Sequence, residues 1–205
     1  MVLSPSKIVC VGRNYREHAK EMGNDVPKEP LLFLKPPSSI IASGEAIVLH
    51  PVSTHIEFEG EIALVMGKRL RRAGEDEARA GISHVVALND VTARDLQTSD
   101  SQRARAKGLD TFCPIGTPAP VPDDLAGITV VTMLNGVERQ RATVADMVFA
   151  IPMLLSYISQ YLTLEPGDIV ATGTPAGVFP LKAGDVVEVQ LVGLSSVSNP
   201  VVAGH

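Results

Sequence analysis

Three glutamates alternate with other residues at the start of an apolar segment. Glu57, Glu59 and Glu61 are each separated by one residue and lead into the run 62–66. In an extended strand, side chains two positions apart share a face, so the three carboxylates are predicted to project the same way. Burying several ionised carboxylates together is unfavourable unless a cation neutralises them. The pattern predicts a site for a hard divalent cation, although an edge strand with a solvated acidic face explains the same alternation.

Asp90 is a further candidate ligand, because it follows the apolar segment 84–88, which is predicted to be a strand. Carboxylates from two strands supply hard oxygen ligands, and no cysteine or compact histidine pair lies nearby. Such a set favours Mg²⁺, Mn²⁺ or Ca²⁺ over Zn²⁺. An isolated aspartate after a strand is more often a turn residue or a helix cap, so the assignment of Asp90 depends on the strand acids.

A histidine and a glutamate could form a catalytic base. His18 and Glu21 lie three residues apart in the predicted helix 15–22, so their side chains can touch. A neighbouring carboxylate raises imidazole basicity, which allows His18, or a water that it polarises, to remove a proton near neutral pH. A solvated charged helix face is the alternative. Lys107 and the turn-like segment 172–174 carry weaker signals, since lysines and Thr-Gly-Thr turns are common on surfaces.

Short strands separated by glycine and proline must position these residues. The predicted strands cover 7–11, 31–34, 84–88, 128–134, 137–141, 169–171 and 186–192. Asn135-Gly136 predicts a tight hairpin turn. Thr143 and Asp146 form a weak capping pair before an apolar helix, in which Pro152 predicts a kink or a fresh start. No linker or repeat divides the sequence, so a single domain over residues 1–205 is predicted.

Composition limits the function classes. The chain has 205 residues and 45% hydrophobic content, enough for one globular domain with a sizeable core. A net charge of -5 without a basic tract predicts no nucleic-acid or membrane partner. Cys10 and Cys113 lie in no CxxC spacing, which argues against a disulfide scaffold or a zinc ribbon. No leader-like or long apolar run occurs, so a soluble, cytoplasmic protein is expected.

Taken together, these features resemble the fumarylacetoacetate hydrolase superfamily. The resemblance rests on sequence blocks that occur in the same order along nearly the whole chain: 11–15 with 18–21, 32–36, 59–65, 89–97, 105–114 and 164–175. It implies an α+β, predominantly β fold, built as a mixed β-sheet roll with a few short helices. It also implies a homodimer.

Site residues follow from the resemblance position by position. It implies that Glu59, Glu61 and Asp90 bind Mg²⁺ or Mn²⁺, with Ca²⁺ an option in crystals, and that Glu57 lies outside the ligand set. It implies that His18 and Glu21 are a catalytic dyad on a lid, and that Lys107 stabilises enolate charge. The residues expected to line the substrate pocket are Arg13, Tyr15, Arg94, Gln97, Thr172, Gly173 and Thr174.

The expected substrate is a small 2-oxo acid, or an enolic 2-hydroxydienoic acid, that reacts through a metal-stabilised enolate. Hydrolysis of a C–C bond, of the acylpyruvate or fumarylpyruvate type, is the favoured reaction. The alternatives are an isomerase or decarboxylase of the 5-carboxymethyl-2-hydroxymuconate or 2-hydroxyhepta-2,4-diene-1,7-dioate type, and a non-catalytic metal-binding protein. The sequence departs from the family pattern in segment 97–103, which lacks the aromatic residue that family members often have before the block 105–114.

Overall fold

Strands dominate the computed structural model, which describes residues 3–204. The strands are β1 (Ile8–Gly12), β2 (Leu31–Lys35), β3 (Ile40–Ile41), β4 (Ile47–Leu49), β5 (Ile56–Glu57), β6 (Gly60–Met66), β7 (Ile82–Asn89), β8 (Thr92–Ala93), β9 (Cys113–Pro114), β10 (Ala119–Pro120), β11 (Thr129–Leu134), β12 (Val137–Thr143), β13 (Ile169–Ala171), β14 (Val186–Leu191) and β15 (Ser195–Ala203). The helices are α1 (Arg16–Glu21), α2 (Glu75–Ala80), α3 (Arg94–Ser99), α4 (Ala104–Lys107) and α5 (Ile151–Tyr161).

Two mixed sheets form the body of the molecule. The first has the order β10-β7-β6-β13-β1-β2, and the second has the order β12-β11-β14-β15-β4. Strand β1 pairs in parallel with β13, and β15 with β4, while the other neighbours in these two sheets are antiparallel. Strands β6, β7 and β13 read as apolar runs because both of their faces are covered. The predicted mixed, predominantly β fold is confirmed.

The core lies between the sheets and beneath the longest helix. Ile62 and Val85 of the first sheet share one apolar cluster with Val189 of the second, and Leu154 and Ile158 of α5 pack into it. Helix α5 begins at Ile151, so Pro152 lies in its first turn and does not kink it. Thr143 and Asp146 cap a separate short 3₁₀ turn instead of this helix.

The Asn135-Gly136 hairpin is confirmed. Both residues have positive φ angles, of 54° and 77°, which is the combination that a type I′ turn requires. They join β11 to β12, the edge strand of the second sheet.

The three alternating glutamates do not belong to one strand. Glu57 ends β5, which pairs with β8, whereas β6 begins only at Gly60. At Gly60 a Cβ atom would lie 1.9 Å from Oγ1 of Thr132, so the backbone approaches the second sheet too closely for another residue. Phe58 is buried in a separate apolar cluster. The prediction of one strand that carries all three glutamates was therefore wrong, although Glu57 and Glu59 both contact Arg94.

Within residues 3–204, no helix has the length and hydropathy needed to span a membrane. The single domain, the homodimer and the cytoplasmic location stay predictions.

Candidate metal and substrate site

Three buried carboxylates converge at the end of two paired strands. One oxygen atom each from Glu59, Glu61 and Asp90 lies within 4.8 Å of the others. Antiparallel pairing places Gly60 of β6 opposite Asn89 of β7, which sets Asp90 beside Glu59. The Asp90 N–H donates to the Glu59 carbonyl over 2.8 Å, and Oδ1 of Asn89 accepts the Glu59 N–H over 2.9 Å. The backbone thus fixes where these carboxylates lie.

Buried cations surround two of the three carboxylates. Lys107 Nζ lies 2.6 Å from Glu59 Oε2 and 2.5 Å from Asp90 Oδ2. Lys35 Nζ lies 2.7 Å from Asp90 Oδ1, and Arg94 Nη1 lies 2.7 Å from Glu59 Oε1. Paired charges of opposite sign offset each other's desolvation cost, which makes this burial tolerable.

Glu61 is left without such a partner among the described ion pairs, although Gly173 donates its N–H to Glu61 Oε2 over 2.8 Å. Burial and the nearby charges of Asp90 and Glu59 raise the pKa of Glu61 well above its usual value. Burial acts in the same direction on Glu59, but Lys107 and Arg94 outweigh it and lower the pKa of that carboxyl. A divalent cation fits this set, because it would bind hard oxygen donors and offset the charge of Glu61.

The predicted histidine–glutamate pair is formed in α1. His18 Nδ1 lies 3.1 Å from Glu21 Oε2. The His18 side chain is 7% exposed and faces the same cavity as the three carboxylates. Glu21 is one-third exposed, and its Oε1 accepts the N–H of Gly177 over 2.9 Å, which holds the carboxylate in place.

These groups open into one cavity of about 270 Å³, a size suited to a small organic acid. The predicted site residues that line it are Arg13, His18, Glu59, Glu61, Asp90, Arg94, Gln97, Lys107 and Thr174. The structure brings these nine side chains together from five separate sequence blocks.

Other predicted pocket residues lie behind or beside the cavity. The Thr172 hydroxyl donates to the Ile62 carbonyl over 2.8 Å, and Gly173 acts on Glu61 through its backbone. Tyr15 borders a neighbouring depression with Asp146. Burial, together with the charges of Glu61 and Asp146, raises the pKa of the Tyr15 hydroxyl.

Comparison with known proteins identifies the family. Residues 7–202 match the model named Fumarylacetoacetate (FAA) hydrolase C-terminal. The chain belongs to the fumarylacetoacetate hydrolase family. An oxaloacetate tautomerase of Arabidopsis thaliana is 43% identical to it over 94% of this chain and 89% of the relative. The resemblance seen in the sequence is confirmed.

Solved structures of family members superimpose on the whole chain. A 5-carboxymethyl-2-hydroxymuconate delta-isomerase from Mycobacterium smegmatis gives a TM-score of 0.90 at 39% identity, covering 99% of this chain and 81% of that one. A fumarylpyruvate hydrolase from Pseudomonas aeruginosa, in complex with Mn²⁺ and pyruvate, gives 0.92 at 26% identity, covering 100% and 92%. The family contains both isomerases and hydrolases.

Three side chains of this family member were not predicted to serve the site. Lys35 could have been suspected, since it is a lysine at the end of an apolar strand and before a proline pair. Asn14 fixes the loop after β1: its Oδ1 accepts the Phe149 N–H over 2.8 Å, and its Nδ2 donates to the Thr172 carbonyl over 2.8 Å. Arg103 lines the cavity, but no sequence pattern separates it from surface arginines.

Proposed function

We propose that this protein is a divalent-metal-dependent enzyme that transfers a proton at C3 of a small 2-oxo acid, and so interconverts the keto and enol forms of an oxaloacetate-like substrate. One observation carries the proposal: the carboxylates of Glu59, Glu61 and Asp90 share a small cavity with His18, which contacts Glu21. The names of the Arabidopsis tautomerase and the Mycobacterium isomerase support a proton-transfer reaction.

The three carboxylates would hold Mg²⁺ or Mn²⁺, which supplies Lewis-acid polarisation of the 2-oxo group and so acidifies the hydrogens at C3. His18, oriented by Glu21, removes one C3 proton. The C–H electron pair becomes the C2–C3 double bond, and the C2 oxygen takes up a proton to complete the enol. Lys107 places a buried positive charge beside the carboxylates. This charge stabilises the negative charge that develops at the C2 oxygen.

Hydrolysis of a C–C bond is the second candidate. His18 lines the cavity and contacts Glu21, so the pair can polarise a water there. That water would attack the distal carbonyl of an acylpyruvate. The bond to C3 would break, and C3 would take up a proton to give pyruvate. The Pseudomonas hydrolase, solved with Mn²⁺ and pyruvate, favours this candidate.

The reactions separate by their products. Purified protein with Mg²⁺ is given enol-oxaloacetate, acetylpyruvate and 5-carboxymethyl-2-hydroxymuconate in turn, and ¹H NMR follows keto formation, C–C cleavage and loss of CO₂. We expect faster enol–keto conversion of oxaloacetate, and loss of that activity in EDTA and in Glu59→Gln. Cleavage of acetylpyruvate without tautomerisation would establish the hydrolase instead. A protein that binds Mg²⁺ but converts none of the three is a non-catalytic binder, and the proposal would be wrong.

A further inference from the structure

Two arginines of the cavity form no ion pair within residues 3–204. The arginines that form ion pairs within residues 3–204 are Arg69, Arg94, Arg105 and Arg141. Arg13 and Arg103 line the cavity and belong to none of these pairs. Lys35, Lys107 and Arg94 pair with Glu59 and Asp90, so Arg13 and Arg103 remain available to an anion that enters the cavity.

Arg103 is held in the cavity by its surroundings. Its Cζ atom lies 5.5 Å from the centre of the Phe33 ring, a distance at which a cation interacts with the ring face. A Cβ atom on Gly12 would come within 2.8 Å of Arg103 Nη1, so the guanidinium rests against the Gly12 backbone. The ring and the glycine fix the direction of a long side chain that would otherwise extend into water.

Arg13 is placed by an unusual backbone. It has a φ angle of 58°, a left-handed conformation that costs a non-glycine residue free energy and persists only where its neighbours impose it. Asn14 imposes it through its hydrogen bonds to Phe149 and Thr172. Burial and the charge of Arg13 lower the pKa of Arg103, and they outweigh the nearby charges of Glu59 and Asp90, which act in the opposite direction.

A pair of partly buried, mutually repelling guanidiniums is stabilised by an anion bound between them, and a carboxylate matches their planar geometry. We propose that Arg103, with Arg13, binds the second carboxylate of a dicarboxylic 2-oxo acid, so that the enzyme selects diacids over monoacids of equal chain length. The inference rests on the proposed function for the identity of the first carboxylate and the 2-oxo group. Arg103 lies in segment 97–103, where the expected aromatic residue is missing, so a cation takes part in the cavity wall there.

The test compares Arg103→Met with a matched control. Methionine keeps much of the apolar stem and removes the charge. Arg105→Met makes the same change two residues away, where the arginine is 68% exposed and pairs with Asp100 outside the cavity. Oxaloacetate and 2-oxobutanoate each have four carbons and differ in the distal carboxylate. Deuterium exchange at C3, monitored by NMR in the presence of Mg²⁺, measures the enolisation of both acids.

In Arg103→Met we expect kcat/KM for oxaloacetate to fall about 10- to 100-fold, mostly through a higher KM. A loss of about this size is usual when a charge-assisted hydrogen bond to a ligand is removed. Exchange of 2-oxobutanoate should stay within about twofold, and Arg103→Lys should restore part of the loss. Arg105→Met should change neither substrate. Equal losses for both acids, or an unchanged ratio in Arg103→Met, would overturn the inference.

A binding measurement separates this inference from the proposed function. The rise in Tm produced by each acid in the presence of Mg²⁺ is recorded for the parent and Arg103→Met. If neither acid exchanges deuterium but oxaloacetate still stabilises the parent more than the variant, the proposed function fails and the inference holds. If oxaloacetate is turned over and stabilises both proteins equally, the function holds and the inference fails.

Discussion

Lys35 Nζ lies 2.7 Å from Asp90 Oδ1, and both side chains are completely buried. The ammonium group also donates to the carbonyls of Val91 and Lys107. Lys35 therefore occupies one oxygen of Asp90, while Lys107 and the cavity share the other. This arrangement gives Lys35 a structural role beside the carboxylate cluster although it does not line the cavity.

Lys35→Met should destabilise the protein by about 3 to 5 kcal/mol, because removing one partner leaves the Asp90 charge buried and uncompensated. Chemical denaturation measures the change in the free energy of unfolding. Lys182→Met, at an exposed position, is the control and should change it by less than about 0.5 kcal/mol. A loss below about 1 kcal/mol in Lys35→Met would mean that Asp90 is stabilised without the lysine.

Glu61→Gln should weaken Mg²⁺ binding by more than about 100-fold, since even partners outside the ligand set are worth 10- to 100-fold in affinity. The metal-free variant should be at least as stable as the parent, because the amide removes a buried charge that has no cation beside it. Titration calorimetry and thermal denaturation in EDTA measure the two effects. Glu138→Gln is the control: Glu138 pairs with Arg141 at 2.6 Å on the surface, away from the carboxylate cluster, so Mg²⁺ affinity should be kept. Unaltered affinity in Glu61→Gln would remove Glu61 from the ligand set.

His18→Gln should lower turnover by about 10²- to 10⁴-fold, the range for loss of a general base, and leave Mg²⁺ affinity unchanged. The reason is that His18 contacts Glu21 and faces the cavity but supplies no atom to the carboxylate cluster. Deuterium exchange at C3 and calorimetry measure the two quantities. Parallel losses of metal binding and turnover would show that His18 acts through the metal site.

The site residues were predicted from the sequence more accurately than the bounds of the strand that carries Glu61. The family resemblance located Glu59, Glu61, Asp90 and His18, whereas the residue patterns alone also fitted a solvated acidic strand, a turn aspartate and a charged helix face. Alternation alone predicted one strand for Glu57, Glu59 and Glu61, whereas β5 ends at Glu57 and β6 begins at Gly60, whose close approach to Thr132 is a tertiary contact with no local pattern.

Long-range contacts account for the residues that were missed. Asn14 acts by bonding to the backbone of Phe149 and Thr172, which are more than a hundred residues away in sequence. Arg103 enters the cavity only because Phe33 and Gly12 form the surface on which it rests. The hairpin at Asn135-Gly136, by contrast, depends on φ preferences of the two residues themselves, so the sequence predicted it fully.

Gly173→Ala should destabilise the protein by about 2 to 4 kcal/mol, the sum of left-handed strain and overpacking. Gly173 has a φ angle of 101°, and a Cβ atom there would lie 2.9 Å from the Asn14 Cβ. Gly184→Ala is the matched control, since φ is 94° there and no atom lies within 4 Å of the added carbon. It should cost only the strain, about 1 kcal/mol. Equal losses in both variants, measured by denaturation, would show that the packing against Asn14 is not tight.

Asp168 ties the start of β1 to the turn before β13, and its contribution should depend on pH. The buried carboxylate accepts hydrogen bonds from the Ser6 hydroxyl at 2.6 Å and the Glu165 N–H at 2.8 Å, and it pairs with Lys7. Burial opposes ionisation, but the hydrogen bonds from Lys7 and Ser6 outweigh it and lower the pKa of Asp168. The stabilisation is therefore fully present above the unfolded pKa of about 3.9 and is lost as pH falls through the lower, folded value.

Asp168→Asn should cost about 1.5 to 3 kcal/mol at pH 7, the usual worth of hydrogen bonds to a charged group. Between about pH 7 and pH 5 the difference from the parent should be constant, and it should shrink as the pH falls below about 4, because protonation then removes the same charge from the parent. Urea denaturation of both proteins at several pH values measures this difference. A difference that stayed constant down to about pH 2.5 would show that the Asp168 charge contributes nothing, and that the shape of the side chain alone joins the two segments.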